Sequence, residues 1–279
     1  MMENSLVSIN IPTLNSERTM ARCLRAIIQQ SYKNIEIIVI DSYSSDNTVA
    51  IAKRYGAKVV YERKLPRQRM RGIMESKGEY ILLLDSDQEL EPRAIEKCIE
   101  ECEERHYDAL ILKEKSIYNE ESWISKLLAY NMEIVQSDPD VYLGTALPRF
   151  FRASILKKID PIPEDIGYFD HAFIYYEVLK RRAKVGYVNS IIYHHEVDSV
   201  ARFIKKFYKY YGLCLIPAMK YNRKLVIGRS LPKRIYFSRK VIRKPQIFVG
   251  LLLLYMLKAL ATATGVIVYI VMAFKAQNC

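Results

Sequence analysis

No acidic residue follows Asp198. Up to and including it, 27 basic residues nearly balance 31 acidic ones; beyond it, the last 81 residues hold 16 lysines and arginines and no counter-charge, so the net charge of +12 belongs to one end of the chain. This asymmetry describes a near-neutral body followed by a segment suited to an anionic surface. Glycine is scarce as well. None of the ten glycines falls in a GxG pattern, and no GxxxxGKS/T, HExxH or GxSxG occurs. Their absence weakens dehydrogenase, NTPase, zinc-protease and serine-hydrolase readings. The five cysteines, Cys23, Cys98, Cys102, Cys214 and Cys279, are odd in number and lack paired short spacings. With no evident signal peptide, they suit a reducing compartment rather than a disulfide framework. Cys98 and Cys102 lie one helical turn apart and read as ordinary helix residues, since a zinc site needs more histidine or cysteine close by.

The longest apolar run, Ile247 to Phe274, is interrupted only by Lys258. As a helix it would reach roughly 42 Å, enough to cross a hydrocarbon layer of about 30 Å with tilt. A lysine at mid-span costs about 2.5–3.5 kcal/mol, which the surrounding leucine, isoleucine, valine and phenylalanine could offset; a helix lying in the interface, or one packed on a partner, is the rival reading. The basic block RSLPKRIYFSRKVIRKP beside it places the body on the cytoplasmic side of a membrane. Upstream, SVARFIKKFYKYYG interleaves aromatics with lysines from Ser199 to Gly212. Stacking on nucleic acid would use such a pattern. With an apolar segment downstream, an amphipathic helix at lipid headgroups is the favoured reading, with no nucleic-acid partner.

The body repeats a rhythm. Short apolar runs occur in LVSINIP, IEIIVID, AKVVYER, EYILLLD and YDALILK, with helix-like stretches between the first four and after the fourth. In SERTMARCLRAIIQQ, Met20, Cys23, Leu24, Ile27 and Ile28 share one face and Ser16 suits an N-cap. EPRAIEKCIEECEERH opens with Pro92 at a first helical position. Strands alternating with helices predict an α/β fold with a doubly wound, mostly parallel sheet. Ligands of such sheets sit at the carboxyl ends of the strands.

Three of those ends carry polar groups: Thr13 and Asn15, Asp41, and Asp85 with Asp87. Each alone is a common turn or cap residue, and Asp46 fits a cap for a helix starting near Thr48. Asp85 and Asp87 are harder to dismiss. In extended chain they face the same side, and two carboxylates repel unless a cation or donor sits between them. An oxygen-only pair suits Mg2+ or Mn2+ completed by phosphate oxygens.

These segments resemble family 2 glycosyltransferases. VSINIPTLNSERTMARCLRAIIQQSYKNIEIIVIDSYSSDNT is similar to the family's opening, with a P-T-x-N-E-like turn and an I-V-x-D-x-x-S-x-D-x-T segment. RQRMRGIMESKGEYILLLDSD continues it into a DxD signature, and a looser similarity runs from Phe150 to about Gly212. The resemblance implies a GT-A fold, a nucleotide-sugar donor (UDP- or GDP-linked), a divalent cation and inversion at the sugar carbon. By position, Pro12, Thr13 and Asn15 would line the nucleotide pocket and Asp41 would pair with the base. Asp85 and Ser86 would contact the donor, Asp85 reaching ribose or metal, and Asp87 would hold the metal. Arg67, Arg69 and Arg71 sit on a helix whose equivalent commonly faces the donor, Arg69 being the selected contact; a solvated basic face is the alternative. Met70 departs from the family, which often has asparagine there.

An inverting displacement on a hydroxyl acceptor also needs a base. The resemblance points to IPEDIGYFDHAFIYYEVLKRRAKVGYVNSIIYHHE, with Asp170 the selected base; the literal Glu-Asp pair at Glu164 and Asp165 keeps Asp165 open, and a plain helix N-cap is the other role for Asp170. His194 matches a histidine some relatives use near diphosphate or metal, with His195 less favoured and a structural role the alternative. A basic, membrane-attached tail suggests a lipid acceptor, either a polyprenyl phosphate or a lipid-linked glycan. The organisation expected is a catalytic domain over 1–198, interfacial helices over 199–245 and a membrane-embedded helix over 246–275. A nucleotidyltransferase, which usually needs a glycine-rich turn absent here, and a catalytically silent membrane scaffold of the same fold are the competing readings. The oligomeric state, a homo-oligomer included, is open.

Overall fold

A computed structural model of the chain describes residues 5–137, 140 and 146–277. The elements run β1 (Val7–Thr13), α1 (Glu17–Ile28), β2 (Ile35–Asp41), α2 (Thr48–Arg54), β3 (Lys58–Tyr61), α3 (Leu65–Glu75), β4 (Tyr80–Leu83), β5 (Gln88–Leu90), α4 (Ala94–Arg105) and β6 (Ala109–Ile117). They continue with α5 (Trp123–Val135), β7 (Phe150–Arg152), α6 (Ala153–Leu156), α7 (Asp170–Lys180), β8 (Val185–His195), α8 (Val200–Lys206), α9 (Leu213–Ser230), α10 (Arg239–Ile242) and α11 (Pro245–Gln277). All five expected strands form, as β1, β2, β3, β4 and β6.

The eight strands make one sheet in the order β3-β2-β1-β4-β7-β6-β8-β5. The first four run parallel, joined by helices. Every residue of β1 and of β4 is buried, as expected for interior parallel strands covered on both faces. Beyond β4 the sheet turns antiparallel: β7 pairs against β4 and β6, and β5 against β8. The sheet is therefore mixed, with the doubly wound part confined to the N-terminal half.

Local details follow the sequence with two shifts. Met20, Cys23, Leu24 and Ile27 bury as one face of α1, but Ile28 is half exposed. Pro92 lies ahead of the cap Arg93 rather than inside α4. Asp46 caps two helices at once: Oδ1 accepts from the Thr48 amide at 3.0 Å and Oδ2 from the Glu17 amide at 3.2 Å. Ser16 occupies the N-cap position of α1 without a side-chain cap bond, and its Oγ instead meets Ser86 Oγ at 2.9 Å.

The chain divides into two compact units. The first comprises residues 1–115, 147–164 and 173–194; the second 116–146, 165–172 and 195–279. The core of the first is built from β1, β2, β4, α1 and α4, with Tyr80 stacked on Phe150 at 5.1 Å. In the second, α11 packs on α9 and on a π-helical turn, Phe207–Gly212. Gly212 and Gly265 make that approach close: a Cβ on Gly212 would stand 2.8 Å from Gly265 Cα. Helix α11 is long and apolar enough to cross a membrane, with a mean hydropathy of 2.0 over an 18-residue stretch within Pro245–Ala276.

Candidate functional site

The parallel register of β1 and β2 sets Thr13 beside Asp41, and β2 to β3 sets Asp41 beside Tyr61. Asp41 is fully buried. Its Oδ2 accepts from the Ser44 amide at 2.7 Å and its Oδ1 from Ser44 Oγ at 2.6 Å, closing the turn after β2. Asn15, in a left-handed conformation at φ 50°, fastens the neighbouring loop: its amide donates to Ser44 Oγ at 2.8 Å and its Oδ1 accepts from the Ser45 amide at 2.9 Å. Asp41 and Asn15 thus lock two loops to each other. Pro12 and Thr13 are buried, and the Thr13 hydroxyl has no hydrogen-bond partner among the described residues.

Beside Asp41 lies a pair the sequence reading passed over. Tyr43 and Tyr61 are 56% and 46% exposed and stack at 5.4 Å with 29° between their planes. The Arg63 guanidinium sits 4.8 Å above the Tyr43 ring. An exposed aromatic face flanked by a cation is a stacking platform for a nucleobase. Aromatics two residues after β2 and at the end of β3 were its signal in the sequence. Gln68 was also missed: its amide nitrogen donates to Thr13 O at 3.1 Å and to Ile40 O at 2.5 Å, tying α3 to the ends of β1 and β2.

After β4 come Leu84 and then Asp85, Ser86 and Asp87, before β5 begins. The two aspartates part company. Asp85 Oδ1 pairs with Arg69 Nη2, and Asp85 Oδ2 lies 3.1 Å from Arg149 Nη1. Arg149 Nη2 in turn meets Glu114 Oε1 at 2.9 Å. Both guanidinium groups are buried. Asp85 is therefore the counter-ion of two arginines, and two positive charges on its oxygens disfavour a cation there; the metal-ligand role expected for it is not what this geometry offers. Arg149 escaped the sequence reading because only the antiparallel entry of β7 carries it to the carboxyl end of β4, where the Leu83 amide donates to Arg149 O at 2.8 Å.

Asp87 has a different neighbour. Antiparallel pairing of β5 with β8 sets Gln88 opposite His194, and His194 Nε2 lies 3.4 Å from Asp87 Oδ2. One carboxylate oxygen and one imidazole nitrogen form a donor set that fits Mn2+, which takes both ligand types, better than Mg2+, which favours oxygen. Among the described residues no cluster of three or more histidine, cysteine, aspartate or glutamate side chains forms a metal cage, so phosphate oxygens would have to complete the shell. Beneath the pair, burial followed by the charges of Asp87 and Asp85 pushes the Cys23 thiol far up, keeping it protonated.

The three arginines of α3 separate. Arg69 turns inward to Asp85. Arg67 is half exposed and pairs with Glu62 and Glu164, and Arg71 is half exposed and pairs with Glu75 at 2.7 Å.

In the second unit, Asp170 opens α7 and is buried, its Oδ1 accepting from the His171 amide at 2.7 Å. The turn before it, Gly167–Phe169, requires its glycine: φ is 48°, and a Cβ would lie 2.5 Å from Cys214 Sγ. Of the alternatives, Asp165 is exposed, and Glu164 in the first unit is engaged by Lys64 at 2.9 Å and Arg67 at 3.1 Å. His195, the last residue of β8, falls in the second unit.

Residues 8–167, more than half of the chain, match the sequence profile of glycosyl transferase family 2. The chain belongs to this family. Over 116 residues it is 29% identical to the glycosyltransferase GlyG of Streptococcus pneumoniae, a match covering 39% of this chain and 38% of GlyG. The mannosyltransferase PcManGT of Pyrobaculum calidifontis, solved with GDP-Man and Mn2+, superposes with a TM-score of 0.60 at 13% identity, over 96% of this chain and 87% of that one. The 1–349 fragment of S. aureus TarS, solved with UDP-GlcNAc, gives 0.53 at 17% identity, over 95% and 89%. At these identities the likeness establishes the fold: this family 2 chain has the GT-A architecture expected from its motifs.

Proposed function

We propose that this family 2 chain transfers a sugar, with inversion, from a UDP- or GDP-linked donor to a membrane-associated acceptor, a polyprenyl phosphate or a lipid-linked glycan. The observation that carries the reading is the Asp87–His194 pair at the end of the central strand, 3.4 Å apart. The donors and Mn2+ held by the two structural neighbours support it.

In this reading the nucleobase stacks on Tyr43 and Tyr61 beside Asp41, and the locked loop of Asn15 and Ser44 shapes the pocket wall. Asp85 and the arginines on either side of it hold the segment rigid, so that Asp87 and His194 stay in place. A divalent cation held by Asp87 and His194 would neutralise the charge that builds on the departing diphosphate. Asp170 is the proposed base for a hydroxyl acceptor. A phosphate acceptor is already ionised at neutral pH and needs none. Helix α11 would embed in the membrane, and the basic block before it would keep the body on the cytoplasmic side.

Incubation of the purified chain with labelled nucleotide sugars, Mn2+ and lipid acceptors tests the reading. Transfer should require metal and fall by about 100-fold or more in Asp87→Ala, the usual cost of removing an electrostatic stabiliser of a leaving group. Asp170→Asn should abolish transfer to a sugar hydroxyl and largely spare a lipid phosphate; equal loss with both would make it a positioning residue. Activity only with a sugar phosphate and a nucleoside triphosphate would mark a nucleotidyltransferase instead. No turnover and no metal-dependent nucleotide binding would mark a silent scaffold.

A further inference from the structure

The second unit gathers three cations, and among the described residues Asp140 is the one anion recorded as acting on them. Arg229 lies near the end of α9, Lys233 just beyond it and Lys258 in the middle of α11. The charges of Arg229 and Lys233 both act on Lys258, and that of Arg229 acts on Lys233. Arg229 Nε and Nη1 are shielded from solvent and have no hydrogen-bond partner among the described residues. The Lys258 ammonium is enclosed by three rings, with Tyr211 at 4.6 Å and Phe207 and Tyr255 at 5.2 Å from Nζ to each centroid. No ion pair among the described residues includes Arg229 or Lys258. Lys233 is better served: Nζ donates to Gly228 O at 3.1 Å at the carboxyl end of α9, and Asp140 offsets part of the repulsion.

Cation–π contacts of about 2 kcal/mol explain why a lysine can stay among aromatics. They do not explain why two more positive groups stand beside it. Guanidinium nitrogens shielded from water and left unpaired, as Nε and Nη1 of Arg229 are, are costly unless something ionised and rich in acceptors meets them. A phosphoryl group does so, accepting from arginine bidentately and from lysine as a point charge. The π-helical turn Phe207–Gly212, which supplies Phe207 and Tyr211, is the kind of irregularity that recurs at functional sites.

We propose that Arg229, Lys233 and Lys258 form a binding site for a phosphoryl group, carried on a lipid or free in solution. The cluster lies wholly in the second unit and is read by binding, so it stands or falls apart from the donor chemistry assigned to Asp87.

The test uses the full chain in zwitterionic detergent with EDTA and no phosphate buffer. Its melting temperature is measured with inorganic phosphate against chloride at equal ionic strength, and with dodecyl phosphate against dodecanol. At tenfold excess over Kd a ligand of the folded state should raise the midpoint by ~3 °C or more. A shift with dodecyl phosphate alone assigns a lipid headgroup; a shift with both assigns a site for which free phosphate suffices. Arg229→Gln and Lys258→Met should each lose most of the shift, Asp87→Ala should keep it, and Lys258→Met should melt higher than the parent without ligand. As a readout on the unaltered chain, dodecyl phosphate should slow acetylation of Lys233 and Lys258 several-fold and leave the exposed Lys58 unchanged. No shift with either phosphate, an undiminished shift in both variants, or equal acetylation rates would overturn the proposal.

Discussion

Arg149 Nη1 lies 3.1 Å from Asp85 Oδ2, while Nη2 of the same guanidinium lies 2.9 Å from Glu114 Oε1. With Arg69 on the other oxygen of Asp85, four charged groups alternate in sign, and both arginines are buried. Removing Asp85 leaves two buried guanidinium groups short of a counter-ion, a change that costs about 3–5 kcal/mol. Asp87 is more exposed, and it pairs with His194 rather than with a buried arginine. Urea denaturation should therefore find Asp85→Ala strongly destabilised and Asp87→Ala within about 0.5 kcal/mol of the parent. Activity should show the reverse emphasis: Asp87→Ala folds and fails to transfer. A DxD triplet kept only for structure would give two variants of similar stability and similar activity.

How the DxD residues divide their work was not legible in the sequence. Periodicity found β1 to β4 because these parallel strands are short, apolar and bounded by helices, and it placed Thr13, Asp41 and Asp85 at strand ends correctly. In the antiparallel half YDALILK was legible as β6, but its shortest strands were hidden. β5 and β7 are three residues each, too short for any periodic signal, yet they bring His194 to Asp87 and Arg149 to Asp85. Spacing alone makes Asp85 and Asp87 look alike; only the partners delivered by β7 and β8 distinguish them. The same holds for Arg67, Arg69 and Arg71, where alternate positions on a helix point in different directions and only packing on the sheet selects Arg69.

Gly78 precedes β4 at a point where the backbone touches β1. A Cβ there would lie 2.5 Å from Leu6 O and 2.8 Å from Ser8 N, both main-chain atoms that cannot step aside alone, and the Gly78 amide donates to Ser8 Oγ at 2.8 Å. Gly78→Ala should cost about 1–3 kcal/mol, as overpacking does. Lys77→Ala next to it, on an exposed side chain, should stay within about 0.5 kcal/mol. Thermal unfolding of the two variants checks the contrast.

Tyr61 reaches the candidate base site from the end of β3, one strand away from Asp41. Stacking of a base on an aromatic ring contributes about 1–3 kcal/mol, so Tyr61→Ala should weaken nucleoside diphosphate binding by roughly 10-fold or more at fixed Mn2+ while Tyr61→Phe stays near the parent. Isothermal titration measures both. Equal affinity in all three proteins would remove the tyrosine pair from the donor site.

Lys233 gives the molecule a pH dependence that can be worked out in sign. Burial, reinforced by Arg229 and only partly opposed by Asp140, pushes its ammonium down to about 7 from the usual 10.5. Below pH 7 both folded and unfolded chains carry the proton and the full cost of the buried charge is present. Between about 7 and 10.5 the unfolded chain holds more protons, so stability rises with pH, by at most ~1.4 kcal/mol per unit. In a buffer free of phosphate, raising pH from 7 to 8.5 should thus stabilise the parent by about 1–2 kcal/mol relative to Lys233→Met. Tyrosines and thiols whose pKa values burial raises pull the other way at higher pH, but they are common to both proteins and cancel in the difference. Adding a phosphoryl ligand should flatten the parent's curve, because an anion beside Lys233 restores its charged form. A difference between the two proteins that is constant from pH 7 to 8.5 would mean that Lys233 keeps its proton throughout that range.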